Sequence, residues 1–205
     1  MAYTTKEKVK NFAHISYEDL GYTAESEYDA FVNDLIERAE AVIENFCDVP
    51  ASFFADGGCT ITDEYHDLRE SDDYVALDYA PVLSVSSIHV NVANYGDAKE
   101  WDTVAANDQY LYPKEGLLYL YNLSFYVEEQ NIKVTYVAGY TTTPTDIQFV
   151  TEQLCANVLH DSLQRKVSPI VRVNDWAVRI IHPDVFTREL KQMLKRYRQR
   201  QVSIG

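Results

Sequence analysis

The chain has 205 residues, 46% of them apolar, and a formal net charge of −14. That is enough apolar material for one domain, or one domain with a sizeable insertion, around a buried core. No apolar run of about 18 residues is present to span a bilayer, and MAYTTKEKVKNF lacks the apolar stretch of a secretory signal, so no membrane partner is expected and the chain is expected to stay inside the cell that makes it.

Charge is spread unevenly. Residues 1–181 carry 12 basic and 30 acidic side chains, whereas residues 182–205 carry 6 and 2. An acidic body repels phosphate backbones, which argues against a sequence-reading nucleic-acid binder. Cys47, Cys59 and Cys155 form an odd, widely spaced set, which fits packing residues in a reducing compartment better than a disulfide framework. Sixteen tyrosines against 7 glycines supply many rings able to sit half in and half out of a surface, as suits a protein that assembles.

In chain order, residues 5–13 read as a short helix with Val9, Phe12 and Ala13 on one side and Lys6, Glu7, Lys8 and Lys10 exposed. A longer helix runs from about Ser26 to Cys47. Phe31, Leu35, Ala39, Val42 and Phe46 fall within about 80° of one another on it, with Asp34, Glu37, Glu40 and Glu44 opposite. The plain reading of that acidic row is a solvated face; a second reading is a face turned toward something negative that must not stick.

From Val49-Pro50 the pattern changes to strands and turns. Cys59–Tyr65, Tyr74–Tyr79, Pro81–Val92, Tyr110–Tyr112, Leu117–Tyr121, Phe125–Val127 and Asn131–Ala138 are strand candidates, with polar loops over His66–Asp73 and residues 94–108. Ile132, Val134, Tyr136 and Ala138 alternate with Lys133, Thr135 and Val137, the period of a half-buried strand. Gly139 ends it, and Thr143 and Pro144 are placed to cap and open a helix reaching about Lys166.

That helix is apolar on two sides. Ile147, Val150, Leu154 and Val158 form one stripe, and Cys155, Leu159 and Leu163 form another about 120° away, as in a helix central to its fold or squeezed between subunits. Ser168–Ile181 reads as a loop and short hairpin holding Trp176. A last helix is expected from Pro183, with Phe186, Leu190, Met193, Leu194 and Tyr197 on one side and Arg188, Lys191, Lys195 and Arg198 on the other.

Helices, strands, then helices again make an α+β chain: a small helical bundle (1–50 and 143–167), an inserted antiparallel β section (51–142), and a C-terminal hairpin with a basic helix and tail (168–205).

Motifs for chemistry are scarce. There is no Gly-rich phosphate loop, GxSxG, HExxH or CxxC. Cys59, Asp63, His66 and Asp67 are the best metal-ligand types, but their spacing matches no familiar site. His160 and Asp161 are adjacent on a helix, point about 100° apart and do not face each other, and Cys155 joins them no better. No catalytic, cofactor or metal residues are assigned.

Four phrases in order carry a resemblance: IENFCDVP, LDYAPVLSVSSIHV, YLYPKEGLLYLY and NIKVTYVAGYTTTPTDI. Pro81-Val82-Leu83-Ser84-Val85-Ser86-Ser87-Ile88 and Val134-Thr135-Tyr136-Val137-Ala138-Gly139-Tyr140 with Pro144-Thr145-Asp146-Ile147 frame the β section. The chain from about residue 5 to 165 thereby resembles the head-to-tail connector, or adaptor, proteins of tailed viruses.

The resemblance implies a non-catalytic protein, assembled in the host cytoplasm into the virion neck. It implies a ring, usually of twelve copies, under the portal, completing the channel through which DNA passes and meeting the next neck or tail-completion protein. It puts portal docking in the C-terminal segment; there Phe186, Leu190, Met193, Leu194 and Tyr197 are expected to bury against the portal, with Lys195, Arg196, Arg198 and Arg200 paired to its acidic rim. The same helix packed on its own bundle, with a basic outer side, is the competing arrangement.

A DNA channel needs a lining that does not hold phosphate. Asp34, Glu37, Glu40 and Glu44 form one candidate lining, and Asp67, Glu70, Asp72 and Asp73 another. Cys155, Leu159 and Leu163 are the expected contact between subunits. Two alternatives stand beside the adaptor: a stopper or tail-terminator ring, against which the long helices count, and a soluble enzyme or ligand-binding domain, which oligomeric state distinguishes.

Overall fold

The computed structural model describes residues 2–69, 74–93, 97–121, 129–167, 172–173, 176–177 and 185–199. The fold is α+β and forms two compact units, residues 1–51 with 143–198, and residues 52–142 with 199–205.

The first unit is helical: α1 (Lys6–Ala13), α2 (Glu25–Cys47), α3 (Thr145–Val167) and α4 (Arg188–Leu194), the last running into a 3-10 turn at Lys195–Tyr197. The Thr5 side chain caps α1 by accepting from the Lys8 N–H. The buried stripe of α2 is Tyr28, Val32, Leu35, Ile36, Ala39, Ile43 and Cys47, rotated by about 60° from the stripe read in the sequence. Val42 is 40% exposed, while Phe31 and Phe46 lie at the edge, against Tyr22 at 5.9 Å and Phe186 at 5.4 Å between ring centroids. Tyr28 holds the core position because its hydroxyl reaches the Ile15 carbonyl at 2.9 Å, so a large ring is buried with its polar atom satisfied. Phe12, expected inside, is half-exposed and meets Phe149 edge to face at 5.9 Å.

One core holds Val9, Ala13 and Ile15, the α2 stripe from Tyr28 to Ala39, and Leu154, Cys155, Ala156 and Leu159 of α3. α3 packs against α1, α2 and α4, which is why it is apolar on two sides. It starts at Thr145, one residue later than the sequence suggested, with the Pro144 carbonyl accepting from Gln148 N–H and the Gln148 side chain bonding the Thr143 carbonyl. α4 starts at Arg188, after the non-helical residues 185–187, capped by the Thr187 side chain on the Leu190 N–H; Pro183, where the sequence places the start, lies outside the described residues. Between α3 and α4, β8 (Arg172–Val173) and β9 (Trp176–Ala177) pair antiparallel, forming the expected hairpin.

Among the described residues, the second unit has two antiparallel sheets. β1 (Cys59–His66), β7 (Ile132–Ala138), β3 (Val82–Asn91) and β4 (Trp101–Thr103) form one, in that order; β2 (Tyr74–Ala76), β6 (Leu117–Leu120) and β5 (Gln109–Tyr112) form the other. β4 lies in what the sequence presents as a polar loop, and the Phe125–Val127 candidate lies outside the described residues. On central β7 the alternation holds, with Ile132, Val134, Tyr136 and Ala138 buried and the residues between them half-buried.

Gly139 closes β7 at φ +118°, its N–H bonded to the Pro81 carbonyl at 2.8 Å. A Cβ there would stand 2.2 Å from the Phe53 carbonyl oxygen, so both the backbone conformation and the space require glycine. Beside it, Phe53, Phe54 and Tyr140 pack their rings at centroid distances of 5.2 to 6.1 Å.

Candidate interaction surfaces

Rotation of α2 divides its acidic row. Asp34 and Glu37 stay toward solvent, with Asp34 paired to Arg38 at 2.8 Å. Glu40 sits at the border of the core and accepts from the Tyr3 N–H at 2.5 Å, while Glu44 accepts from the Tyr3 hydroxyl at 2.5 Å. Burial raises the Glu40 pKa above the ordinary carboxylate range, against the pull of the Tyr3 hydrogen bond. Glu40 and Glu44 are thus committed to holding the N-terminal segment, and only Asp34 and Glu37 remain as lining candidates on this helix. In the second acidic set, Asp67 accepts from the Gln130 N–H at 2.5 Å, and Glu70, Asp72 and Asp73 lie outside the described residues.

The expected subunit contact on α3 is corrected. Cys155 and Leu159 are 1% and 0% exposed and belong to the subunit's own core, with Leu163 packed against it. A helix flanked by three others in its own bundle needs no second subunit to cover its second stripe. Burial also pushes the Cys155 and Cys47 thiols up to about 12 each, which leaves them protonated and poor nucleophiles. His160 is exposed, and the adjacent Asp161 is held by Arg165 at 2.7 Å.

The C-terminal segment is corrected in the same direction. Leu190 and Leu194 are 3% and 0% exposed within the bundle, and Phe186 stands edge to face on Phe46. The Tyr197 hydroxyl bonds Asp146 at 3.2 Å and Arg196 is ion-paired with the same carboxylate. Met193 is half-buried, whereas Lys195 and Arg198 are exposed; Arg200 lies outside the described residues. The apolar stripe of α4 therefore packs at home, which removes Leu190 and Leu194 from any docking surface.

In the β section the metal-ligand candidates separate. A bulge between Ile61 and Glu64 of β1 puts Asp63 at φ 51° and brings Glu64 and His66 opposite Val134 and Ile132. Glu64 then accepts from the Tyr136 hydroxyl at 2.5 Å and the Asp78 N–H at 3.0 Å, and contacts His66 Nε2 at 2.6 Å. Burial favours the neutral acid, but these three partners outweigh it and hold the Glu64 pKa below the usual range. Burial, then the nearby Glu64 charge, raises Asp78. Among the described residues, no three His, Cys, Asp or Glu side chains come together as a metal site.

Two aromatic faces emerge from the paired strands. On the β2–β6–β5 sheet Val75, Leu118 and Leu120 point inward, and Tyr74, Tyr110, Tyr112 and Tyr119 occupy the other face. Tyr74, Tyr110 and Tyr112 are 50%, 54% and 44% exposed. Ring centroids lie 5.6 Å apart for Tyr74–Tyr119, 5.3 Å for Tyr112–Tyr119 and 4.9 Å for Tyr110–Tyr112. On the other sheet, Trp101 lies 6.0 Å from Tyr65, with the ammonium groups of Lys133 and Lys99 at 4.9 and 5.8 Å from Trp101 ring centroids. Alternating tyrosines in QYLY and LLYLY signalled the first face. The second needed the strand register, which aligns Tyr65, Lys133 and His89 across three strands.

What these residues present is surface: a half-acidic helix, a basic C-terminal end and two aromatic sheet faces, as in a subunit of a larger assembly. The model of the head completion protein family matches residues 3–159, and the chain belongs to that family. It is accordingly a head completion protein. No curated protein matches the sequence.

The fold is similar to a chain in "Neck of native GTA particle computed with C12 symmetry", at TM-score 0.51 and 17% identity over 88% of each chain. Chains in "Neck of empty GTA particle computed with C6 symmetry" (TM-score 0.49, 18% identity, 86% of this chain and 82% of that one) and in "Virion of native gene transfer agent (GTA) particle" (0.48, 19%, 96% and 91%) also align.

Proposed function

We propose that this head completion protein is a non-catalytic adaptor that assembles into a closed ring, of twelve copies, beneath the portal. There it extends the DNA channel and receives the next neck or tail-completion protein. The observation that carries this is the family match, which runs through both the helical bundle and the β section. The acidic surface fits the role, because a channel for DNA works by avoiding counterion-releasing phosphate contacts, and Asp34 and Glu37 stay outward to supply such a lining.

Portal docking falls to the exposed Arg198 and the residues beyond it, since the apolar stripe of α4 is committed to its own core. A chain ending after Tyr197 keeps α4 and its packing. It is expected to fold with an unchanged circular dichroism spectrum and to fail in joining heads to tails in an in vitro complementation assay. Normal joining by that truncated chain rules out the docking role of the tail. An image of the assembled neck tests the larger proposal: this chain must form the ring directly under the portal.

A further inference from the structure

We infer that consecutive copies in the ring join through the two aromatic faces of the β section, the tyrosine face of one copy receiving the lysine–tryptophan face of the next. This rests on the ring proposed above and names the surfaces that build it. The solvent side of an antiparallel sheet is ordinarily polar or charged. Here the outward positions of β2, β6 and β5 are Tyr74, Ala76, Tyr110, Tyr112, Leu117 and Tyr119, without a carboxylate among them. On a chain of net charge −14, most ways of bringing two copies together oppose carboxylates, which costs association free energy. An uncharged aromatic face avoids that cost.

A tyrosine face also attracts cations, since the faces of its rings carry negative potential and its hydroxyls accept hydrogen bonds. The matching cations lie on the other sheet, where Lys133 and Lys99 flank Trp101 with Tyr65 alongside; Lys133 is shared with Asp63 at 3.8 Å, and Lys99 is positioned by the Glu129 and Gln130 carbonyls at 2.9 Å. A cyclic ring requires a heterologous contact between two different patches, because a patch that pairs with itself stops at a dimer. These two faces, on separate sheets of one unit, differ in this complementary way.

The test uses the full-length chain and two variants, Tyr110→Glu/Tyr112→Glu and Lys133→Glu, followed by native mass spectrometry and sedimentation velocity. All substituted side chains stand on the outer sides of their sheets, and a Tyr110→Ser/Tyr112→Ser variant repeats the first test without added charge. The wild-type chain is expected to form rings. Each variant is expected to be monomeric, with self-association weakened at least tenfold and its circular dichroism spectrum retained. An equimolar mixture is expected to give heterodimers and nothing larger, because one intact face on each partner suffices for a single contact.

Rings that persist in either tyrosine variant, or in Lys133→Glu, overturn the assignment of the faces and leave the ring proposal standing. Dimers of Lys133→Glu show a self-pairing tyrosine face, and a monomeric mixture shows that the faces do not meet; both overturn the inference. A wild-type chain that stays monomeric at all concentrations, alone and in the assembled neck, overturns the ring proposal and this inference with it.

Discussion

Shortening Leu159 to alanine distinguishes a core helix from a ring wall. The side chain is 0% exposed and shares its cluster with Val9, Tyr28, Leu154, Cys155 and Ala156. Removing three carbon atoms forfeits about 2.4 kcal/mol of transfer free energy at roughly 0.8 kcal/mol per carbon. The unfilled space adds to this, placing the expected loss at about 3 kcal/mol within the 2–5 kcal/mol range of buried leucine truncations. Urea unfolding followed by circular dichroism measures the loss. Hydrogen exchange at the α3 amides localises it, since the two units need not unfold together. Leu159→Asp is accordingly expected to prevent folding of the bundle, not to leave a folded monomer. A Leu159→Ala protein within about 0.5 kcal/mol of wild type that nevertheless fails to assemble would refute the reasoning, because only a residue covered by another subunit behaves so.

Tyr136→Phe removes the hydroxyl that donates to Glu64 at 2.5 Å and should cost about 1.5–3 kcal/mol, the usual worth of a buried hydrogen bond to a charged group; an unchanged urea midpoint counts against the network. The Glu64 pKa is lowered, so its stabilising effect is present above the ordinary carboxylate value and is lost as pH falls through the folded one. Glu64→Gln should therefore flatten the acid limb of a stability–pH profile, and an equally steep limb argues against it. Gly139→Ala places a Cβ 2.2 Å from the Phe53 carbonyl at φ +118°, for an expected loss of about 1–3 kcal/mol; a melting temperature equal to wild type contradicts the need for glycine. Thr187→Ala deletes the α4 cap and should cost about 1 kcal/mol, seen as faster amide exchange in α4 with α2 and α3 unchanged. Equal exchange in α4 shows that the cap contributes nothing.

The family was legible before the structure, because it rests on phrases in order. The strand from Ile132 to Ala138, the glycine that ends it and the helix that follows are local signals, and each lies within a residue or two of its expected place. Amphipathic surfaces were harder. Periodicity centres the α2 stripe on Phe31, Leu35, Ala39, Val42 and Phe46, of which Leu35 and Ala39 are buried, because it weights large apolar residues and gives no sign that Tyr28 finds a carbonyl partner at Ile15. That error decided which acids were free, because the true stripe puts Glu40 at the edge of the core.

Sequence alone determined the α+β order of elements, the acid–base asymmetry, the scarcity of chemical motifs and the connector resemblance, all of which depend on near neighbours or on composition. Only the tertiary structure decided that Cys155, Leu159, Leu190 and Leu194 are interior. It alone showed that a bulge in β1 turns Glu64 toward Tyr136, and that tyrosines from three strands share one outer face. An apolar stripe records only that a surface is covered. Whether another helix of the same chain or a second copy covers it depends on pairings between residues far apart in sequence, which periodicity does not carry.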